Sequence, residues 1–253
     1  MADTAPSRIA TWSSLLLATL LVTLVGGAFW LKTRPKLAGS SDPARLESAQ
    51  TLLARGIREH NAGNFDAAME LYHKILQRDP AEVHAHYNLG QIYNERRQYA
   101  QAQWEYEATL KANPQALDAR INLGLVLYRQ RQFAAAEAFR QVLQTAPRYS
   151  TALYDLGITL LDMGQAKEAS RWLAAAVREN PKWVDAHYYL GVALERQRRL
   201  PEAKAALQKA LALNPGHAQA YAVLSRVYLA QGERNLAREA LTKAVALNPR
   251  VKP

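Results

Sequence analysis

The side chains in this sequence that could do chemistry are its histidines and carboxylates, because the chain contains no cysteine. Without thiols there is no disulfide, no Cys-ligated zinc, no haem attached through a Cys-x-x-Cys-His motif, no thiol nucleophile and no lipidated N-terminal cysteine. His84 and His86 are close in sequence. Two residues apart on a helix, they point to different sides and cannot chelate one ion. There is no His-Glu-x-x-His pair, Gly-rich phosphate loop, Gly-x-Ser-x-Gly elbow or calcium loop. The carboxylates are scattered along expected helix surfaces, mostly beside Lys or Arg, and Glu95-Arg96-Arg97 and Glu195-Arg196 read as solvated turns. No acid–base pair emerges, so neither an enzyme nor a metal site is expected, and no cofactor.

Any remaining chemistry is that of a surface, and the elements that build it are legible. Residues 184–217 read as two amphipathic helices of about three turns each, back to back. Leu190, Gly191 and Leu194 mark the apolar side of the first, and Ala203, Leu207 and Ala210 that of the second. Gly191 and Ala203 have almost no side chain, so the helices are expected to approach closely there. The Asn214-Pro215 step resists helical continuation and ends the second helix. A hairpin of this size cannot bury its faces alone and needs a copy of itself on each side.

The copies are present. Prolines recur at Pro80, Pro114, Pro147, Pro181, Pro215 and Pro249, with spacings by subtraction of 34, 33, 34, 34 and 34. Leu-Gly pairs recur at Leu89-Gly90, Leu123-Gly124, Leu156-Gly157 and Leu190-Gly191, with Leu224-Ser225 in the last copy. A small residue of the second helix recurs as Ala68, Ala102, Ala135 or Ala136, Ala169, Ala203 and Ala237.

This pattern resembles the tetratricopeptide repeat. Six copies cover residues 49–251, as 49–82, 83–116, 117–149, 150–183, 184–217 and 218–251. The resemblance implies an all-α, right-handed superhelical solenoid of six helix hairpins. In the family the first helix of each repeat lines the concave face, and ligand peptides lie along it. Repeat positions two, five, six, nine and twelve point into that groove. The groove residues so implied are Tyr87, Asn88 and Gln91, then Ile121, Asn122 and Leu125, then Tyr154, Asp155 and Ile158, then Tyr188 and Val192, and finally Arg226. An apolar, tyrosine-rich groove suits a protein or peptide partner. Asn88 and Asn122 could hydrogen-bond a ligand backbone, like the asparagine ladder of some family members; the alternative is that they only decorate the helix. The lysines and arginines with which some relatives hold the free carboxylate of a chaperone tail are absent from the corresponding positions, so that ligand is not expected. His86 and His187 share a repeat position that is usually a large aromatic, and they read as structural.

The end repeats and the third depart from the pattern. The first helix is expected from about residue 43 to 60, with Asp42 capping it and Pro43 at its first position. Arg55 and Glu59 replace apolar residues there, as suits an N-terminal cap. Repeat three is one residue short, and the loss is expected near residues 131–135, with Phe133, Phe139 and Leu143 still supplying its apolar side. Gly164 accepts the left-handed conformation that ends a helix, and Arg97, Arg131 and Arg198 take the same place at modest cost. No polar helix covers repeat six, so Leu236, Val245 and Leu247 are expected to be partly exposed, as a docking or self-association surface or as a fraying end.

Residues 9–31 carry no charge and are enough to cross a hydrocarbon core of roughly 30 Å. Trp12 and Trp30 sit near the ends, where such rings favour the headgroup zone. A transmembrane anchor is expected at 9–31, between a tail at 1–8 and a linker and helix start at 32–48; the alternative is a signal peptide cleaved after Gly26-Gly27-Ala28. Lys32, Arg34 and Lys36 follow the span and Arg8 precedes it, which favours repeats in the cytoplasm of a bacterial inner-membrane protein, with the periplasmic side as the alternative. The formal net charge is +10. The basic residues fall mostly on turns and second helices, as Arg171, Arg178 and Lys204 do, where a solvated surface is the default. Attraction to anionic lipid near the anchor is the other reading, at about 1 kcal/mol per close charge. Nucleic acid is not expected, for lack of aromatic platforms along a basic stripe. The chain reads as a membrane-anchored scaffold that binds a protein segment to assemble or mature a membrane or envelope complex. A structural oligomer or lipid-associated solenoid is the alternative.

Overall fold

The periodicity becomes twelve helices in a computed structural model that describes residues 47–250, and no strand occurs among those residues. They pair as α1 (Ala49–Asn61) with α2 (Phe65–Arg78), α3 (Val83–Glu95) with α4 (Tyr99–Ala112), and α5 (Leu117–Arg129) with α6 (Ala134–Thr145). The series continues as α7 (Ser150–Asp162) with α8 (Ala166–Glu179), α9 (Val184–Arg196) with α10 (Leu200–Leu213), and α11 (Ala218–Ala230) with α12 (Arg234–Leu247). The start expected at Asp42-Pro43 lies outside the described residues. The helix described there begins at Ala49, where the Ser48 hydroxyl accepts from the Thr51 amide at 3.1 Å and satisfies a donor the first turn leaves free. The anchor expected at 9–31 also lies outside the described residues, and among those described no helix is long and apolar enough to cross a membrane.

Glycine fixes the close approach within each hairpin. A Cβ at Gly157 would come 2.5 Å from Leu173 Cγ, and one at Gly191 would come 2.6 Å from Leu207 Cγ. The same socket holds Tyr72 against Gly56, Tyr106 against Gly90 and Phe139 against Gly124. All five ring or branched side chains are fully buried, each worth about 1.5–3 kcal/mol of apolar burial. In the last repeat Ser225 replaces the glycine, its hydroxyl donates to the Ala237 carbonyl at 2.8 Å, and the facing Leu241 is left half-buried.

Two kinds of turn repeat along the chain. After each first helix one residue takes the left-handed region: Gly63, Gly164 and Gly232 at φ 80, 77 and 83°, and Arg97, Arg131 and Arg198 at 58, 56 and 61°. The next amide then reaches back five residues, as Gln98 N–H does to the Tyr93 carbonyl at 2.8 Å. After the second helix, the residue before proline does more than end the helix. Proline has no N–H, so the side chain of Asp79, Asn113, Asn180, Asn214 or Asn248 accepts from the amide two residues on, at 3.0–3.3 Å. Ala146 before Pro147 has no such group.

The residue missing from repeat three falls between Gln132 and Ala135, where α6 starts at Ala134 and the other second helices one position earlier in the repeat. One residue is about 100° of helix rotation. Phe139 and Leu143 stay in the core, but Phe133, expected on the apolar side, is swung out and is 73% exposed.

Buried apolar side chains form four clusters along the stack, bridged by Tyr93, Leu123, Leu190 and Val192. Each second helix packs on the first helix of the next repeat. First helices of successive repeats also touch one another at four of the five junctions, whereas no two second helices come into comparable contact. The stack therefore bends toward its first helices, which line the inner face. Its two ends differ. On α1, Arg55 and Arg58 stand exposed where inner repeats bury Leu89 and Ile92. At the other end Leu236, Val245 and Leu247 are 41, 43 and 49% exposed, with no further helix over them among the described residues.

Candidate peptide groove

The inner helices carry most of the implied groove residues half-exposed: Tyr87, Asn88, Gln91, Asn122, Leu125, Tyr154, Asp155, Ile158, Tyr188 and Val192. Two differ. Ile121 is only 7% exposed and belongs to the core, because it packs beneath its neighbours instead of fronting the groove. Arg226 is exposed but engaged, its guanidinium donating to both Glu195 oxygens at 2.8 and 3.1 Å.

The two asparagines are partly occupied within the fold. Asn88 Nδ2 donates to the His84 carbonyl at 2.8 Å, one turn back on its own helix. Asn122 Nδ2 donates to the Tyr87 hydroxyl at 3.2 Å, which also accepts from Gln91 Nε2 at 3.3 Å. Their amide carbonyls remain the groups through which a ligand backbone could be held.

A polar link crosses each junction along this face. His60 Nε2 lies 3.2 Å from Glu95, Asn122 donates to Tyr87, and Tyr128 donates to Asp162 Oδ2 at 2.6 Å. Arg196 donates to the Leu161 carbonyl at 2.7 Å, and Arg226 binds Glu195. Tyr128 and Glu195 occupy position twelve of their repeats, so the period already pointed to them; Asp162, one position on, was not reached that way.

The middle of the groove is aromatic. The Tyr154 ring lies 4.3 Å from Trp183 and 5.8 Å from Tyr189, and Tyr188 lies 4.9 Å from Tyr189 and 4.8 Å from His217. Trp183 sits at the repeat boundary, outside the positions the resemblance supplies. Asp155 stands beside this cluster with Oδ2 buried and without a hydrogen-bond partner, and burial pushes its carboxyl up to about 7. Burial, and then the fields of Tyr189, Asp185 and Asp155, hold the Tyr154 phenol well above its usual range.

Between α3 and α4 lies an acid–base pair that sequence reasoning missed. His86 and Glu105 are each 4% exposed, with Nδ1 2.7 Å from Oε2, and His86 Nε2 is 3.1 Å from the Pro80 carbonyl. The carboxylates are thus not all on the surface. The pair is buried within repeat two, with both ring nitrogens of His86 engaged. His187 repeats the bond to the preceding proline carbonyl at 3.0 Å, with its other nitrogen unengaged. A hollow of about 790 Å³ lies against α8, but its lining runs along that one outer helix from Gly164 to Arg178. It is an open trough and holds none of the groove side chains.

Two family models, both described as tetratricopeptide repeat, match the chain, one over residues 95–150 and 154–218 and the other over 59–116 and 194–252. The chain belongs to the tetratricopeptide repeat family. Among solved structures it is similar to MamA (residues 41 to the end) from Desulfovibrio magneticus RS-1, 24% identical over 69% of this chain and 98% of that one, with a TM-score of 0.64. YrrB, a TPR protein described as having an unusual peptide-binding site, is 23% identical over 71% of this chain and 93% of its own, with a TM-score of 0.63. PilF of Pseudomonas aeruginosa is 19% identical over 80% of this chain and 93% of its own, with a TM-score of 0.66. At these identities the likeness is one of fold. No curated protein matches the chain.

Proposed function

We propose that this chain is a scaffold whose inner groove binds a segment of another protein, without turnover. The observation that carries the reading is the row of half-exposed tyrosine and aliphatic side chains on successive first helices, Tyr87, Leu125, Tyr154, Ile158, Tyr188 and Val192. Rigid aromatic side chains give large contact area at little conformational cost. The description of YrrB as a peptide-binding TPR protein supports the reading. The test is capture of partners by the full chain beside a Tyr87→Ala, Tyr154→Ala, Tyr188→Ala variant of matched thermal stability. Loss of bound partners is expected, and equal capture would remove the groove assignment.

Residues 9–31 are taken as a membrane anchor that holds the repeats at a bacterial inner membrane, where the scaffold serves assembly or maturation of a membrane or envelope complex. The support is the uncharged stretch with Trp12 and Trp30 at its ends. Sedimentation with membranes and protease protection in spheroplasts test this. Protein released to the soluble fraction would remove the anchor, and protease sensitivity decides between cytoplasm and periplasm.

A second reading has its own observation, the apolar end of repeat six. Leu236, Val245 and Leu247 are exposed apolar side chains through which the chain could self-associate, or with its basic outer surface meet anionic lipid. Light scattering and vesicle flotation test it; a strict monomer indifferent to anionic vesicles would dispose of it.

A further inference from the structure

Charge is sorted by face in the middle repeats, against the sign of the whole chain. The inner helices α5, α7 and α9 carry five acids, Asp118, Asp155, Asp162, Asp185 and Glu195, against the three bases Arg120, Arg129 and Arg196. The outer helices α6, α8 and α10 carry six Lys or Arg against four Glu. Helix α7 has no base at all.

The acids converge on the aromatic cluster. Besides burial, the fields of Asp185 and Asp155 act on the Tyr154 phenol, and those of Asp185 and Asp162 on Tyr189, whose ring is 5.8 Å away. Among the described residues these three carboxyls have no Arg or Lys partner. Asp162 accepts only a neutral phenol, from Tyr128, and Asp185 faces His217 Nε2 at 3.5 Å. Asp155 Oδ2 has no partner. Two guanidinium groups on the inner helices hydrogen-bond elsewhere, Arg226 to Glu195 and Arg196 to the Leu161 carbonyl, and their positive fields fall on Tyr188 and not on Tyr154 or Tyr189. The walls are electron-rich ring faces, which attract cations.

Resting on the groove reading above, we propose that the groove is selective for a basic segment, and that a lysine or arginine of the partner lies against the contacting rings of Tyr154, Trp183 and Tyr189, where the carboxyl groups of Asp155, Asp162 and Asp185 gather. A planar guanidinium suits the site best, because it stacks on a ring and hydrogen-bonds a carboxylate with the same group. An acidic segment meets repulsion there, and a neutral one leaves the carboxylates uncompensated. The occupant is therefore the charge opposite of a C-terminal carboxylate.

The experiment uses the full chain and an array of peptides about 12 residues long, which when extended reach roughly 40 Å. Peptides enriched in Arg or Lys are expected to bind. Replacing those residues by Gln, or making the Asp155→Asn, Asp185→Asn double variant, is expected to weaken binding about tenfold or more. The double variant keeps shape and removes charge. Should its melting temperature fall, Asp185→Asn alone, at an exposed position, carries the test. Bound peptides with no basic enrichment, or with affinity indifferent to these variants, overturn the selectivity and leave the groove standing. An array on which nothing binds overturns both.

Discussion

His86 Nδ1 lies 2.7 Å from Glu105 Oε2, and its Nε2 lies 3.1 Å from the Pro80 carbonyl, so both ring nitrogens face acceptors and both must donate. That requires the imidazolium. Burial works against the charge, but the hydrogen bonds the ring donates to Glu105 and Pro80 and the fields of Glu105 and Glu82 outweigh it, and the pKa is raised. A base raised in the folded state adds stability that is fully present below its unfolded value, about 6.5, and is lost as pH climbs through the folded value. The stability gap between wild type and His86→Gln, from urea unfolding, is expected to narrow from pH 6 to pH 9. His86→Ala leaves Glu105 buried and alone, and should cost about 3–5 kcal/mol at pH 6.

Asp155 shifts stability in the same direction with pH, from a different cause. Its carboxyl is raised to about 7 by burial, so the folded state binds the extra proton and stability falls as pH rises from the unfolded value, about 4, to the folded one. Asp155→Asn is expected to match wild type at pH 4 and to be more stable at pH 8 by about 1–3 kcal/mol, after allowance for solvent around a half-buried group. Thermal melts at the two pH values check this. An equal gain at both would show that charge is not the cause.

Gly157 touches Leu173 with no room for a methyl group. Gly157→Ala must push the helices of repeat four apart and should cost about 1–3 kcal/mol despite the better helix propensity of alanine. Gly63 has nothing within reach of a Cβ but a φ of 80°, so Gly63→Ala tests backbone strain alone. Denaturant midpoints measure both.

Arg198 holds φ 61° where repeats one, four and six have glycine. Arg198→Gly removes the left-handed penalty of a branched-off Cβ and should gain about 0.5–1 kcal/mol, less whatever flexibility glycine adds to the unfolded chain.

Tyr106 and Tyr72 fill the glycine sockets of repeats two and one, where repeats three to five use Phe139, Leu173 and Leu207. Neither hydroxyl has a hydrogen-bond partner. Tyr106→Phe removes a buried unpaired group without changing the ring and should stabilise by about 1 kcal/mol. A loss of stability instead would mean that the hydroxyl is satisfied, for instance by water.

The sequence by itself determined the hairpin, its period and its glycine contacts. These depend on local rules repeated along the chain: an apolar stripe at helical spacing, a small residue where helices cross, and, in five of the six repeats, an Asx-Pro step that both ends a helix and supplies its own turn acceptor. It also marked the first repeat as atypical, through Arg55 and Glu59 at positions that are apolar in the inner repeats. The tertiary structure decided what falls between repeats. Phe133 looked apolar and inward, yet a one-residue loss rotated it into solvent. Ile121 held a groove position and sank into the core. His86 and Glu105, nineteen residues apart, became a sealed pair. The rings of Tyr154, Trp183 and Tyr189 gathered from α7, the turn before α9 and α9 itself. Periodicity fixes the direction in which a side chain leaves its helix. How far the neighbouring repeat stands from it, and so whether two groups meet, bury each other or leave an oxygen unpaired, is set by the packing of the whole stack.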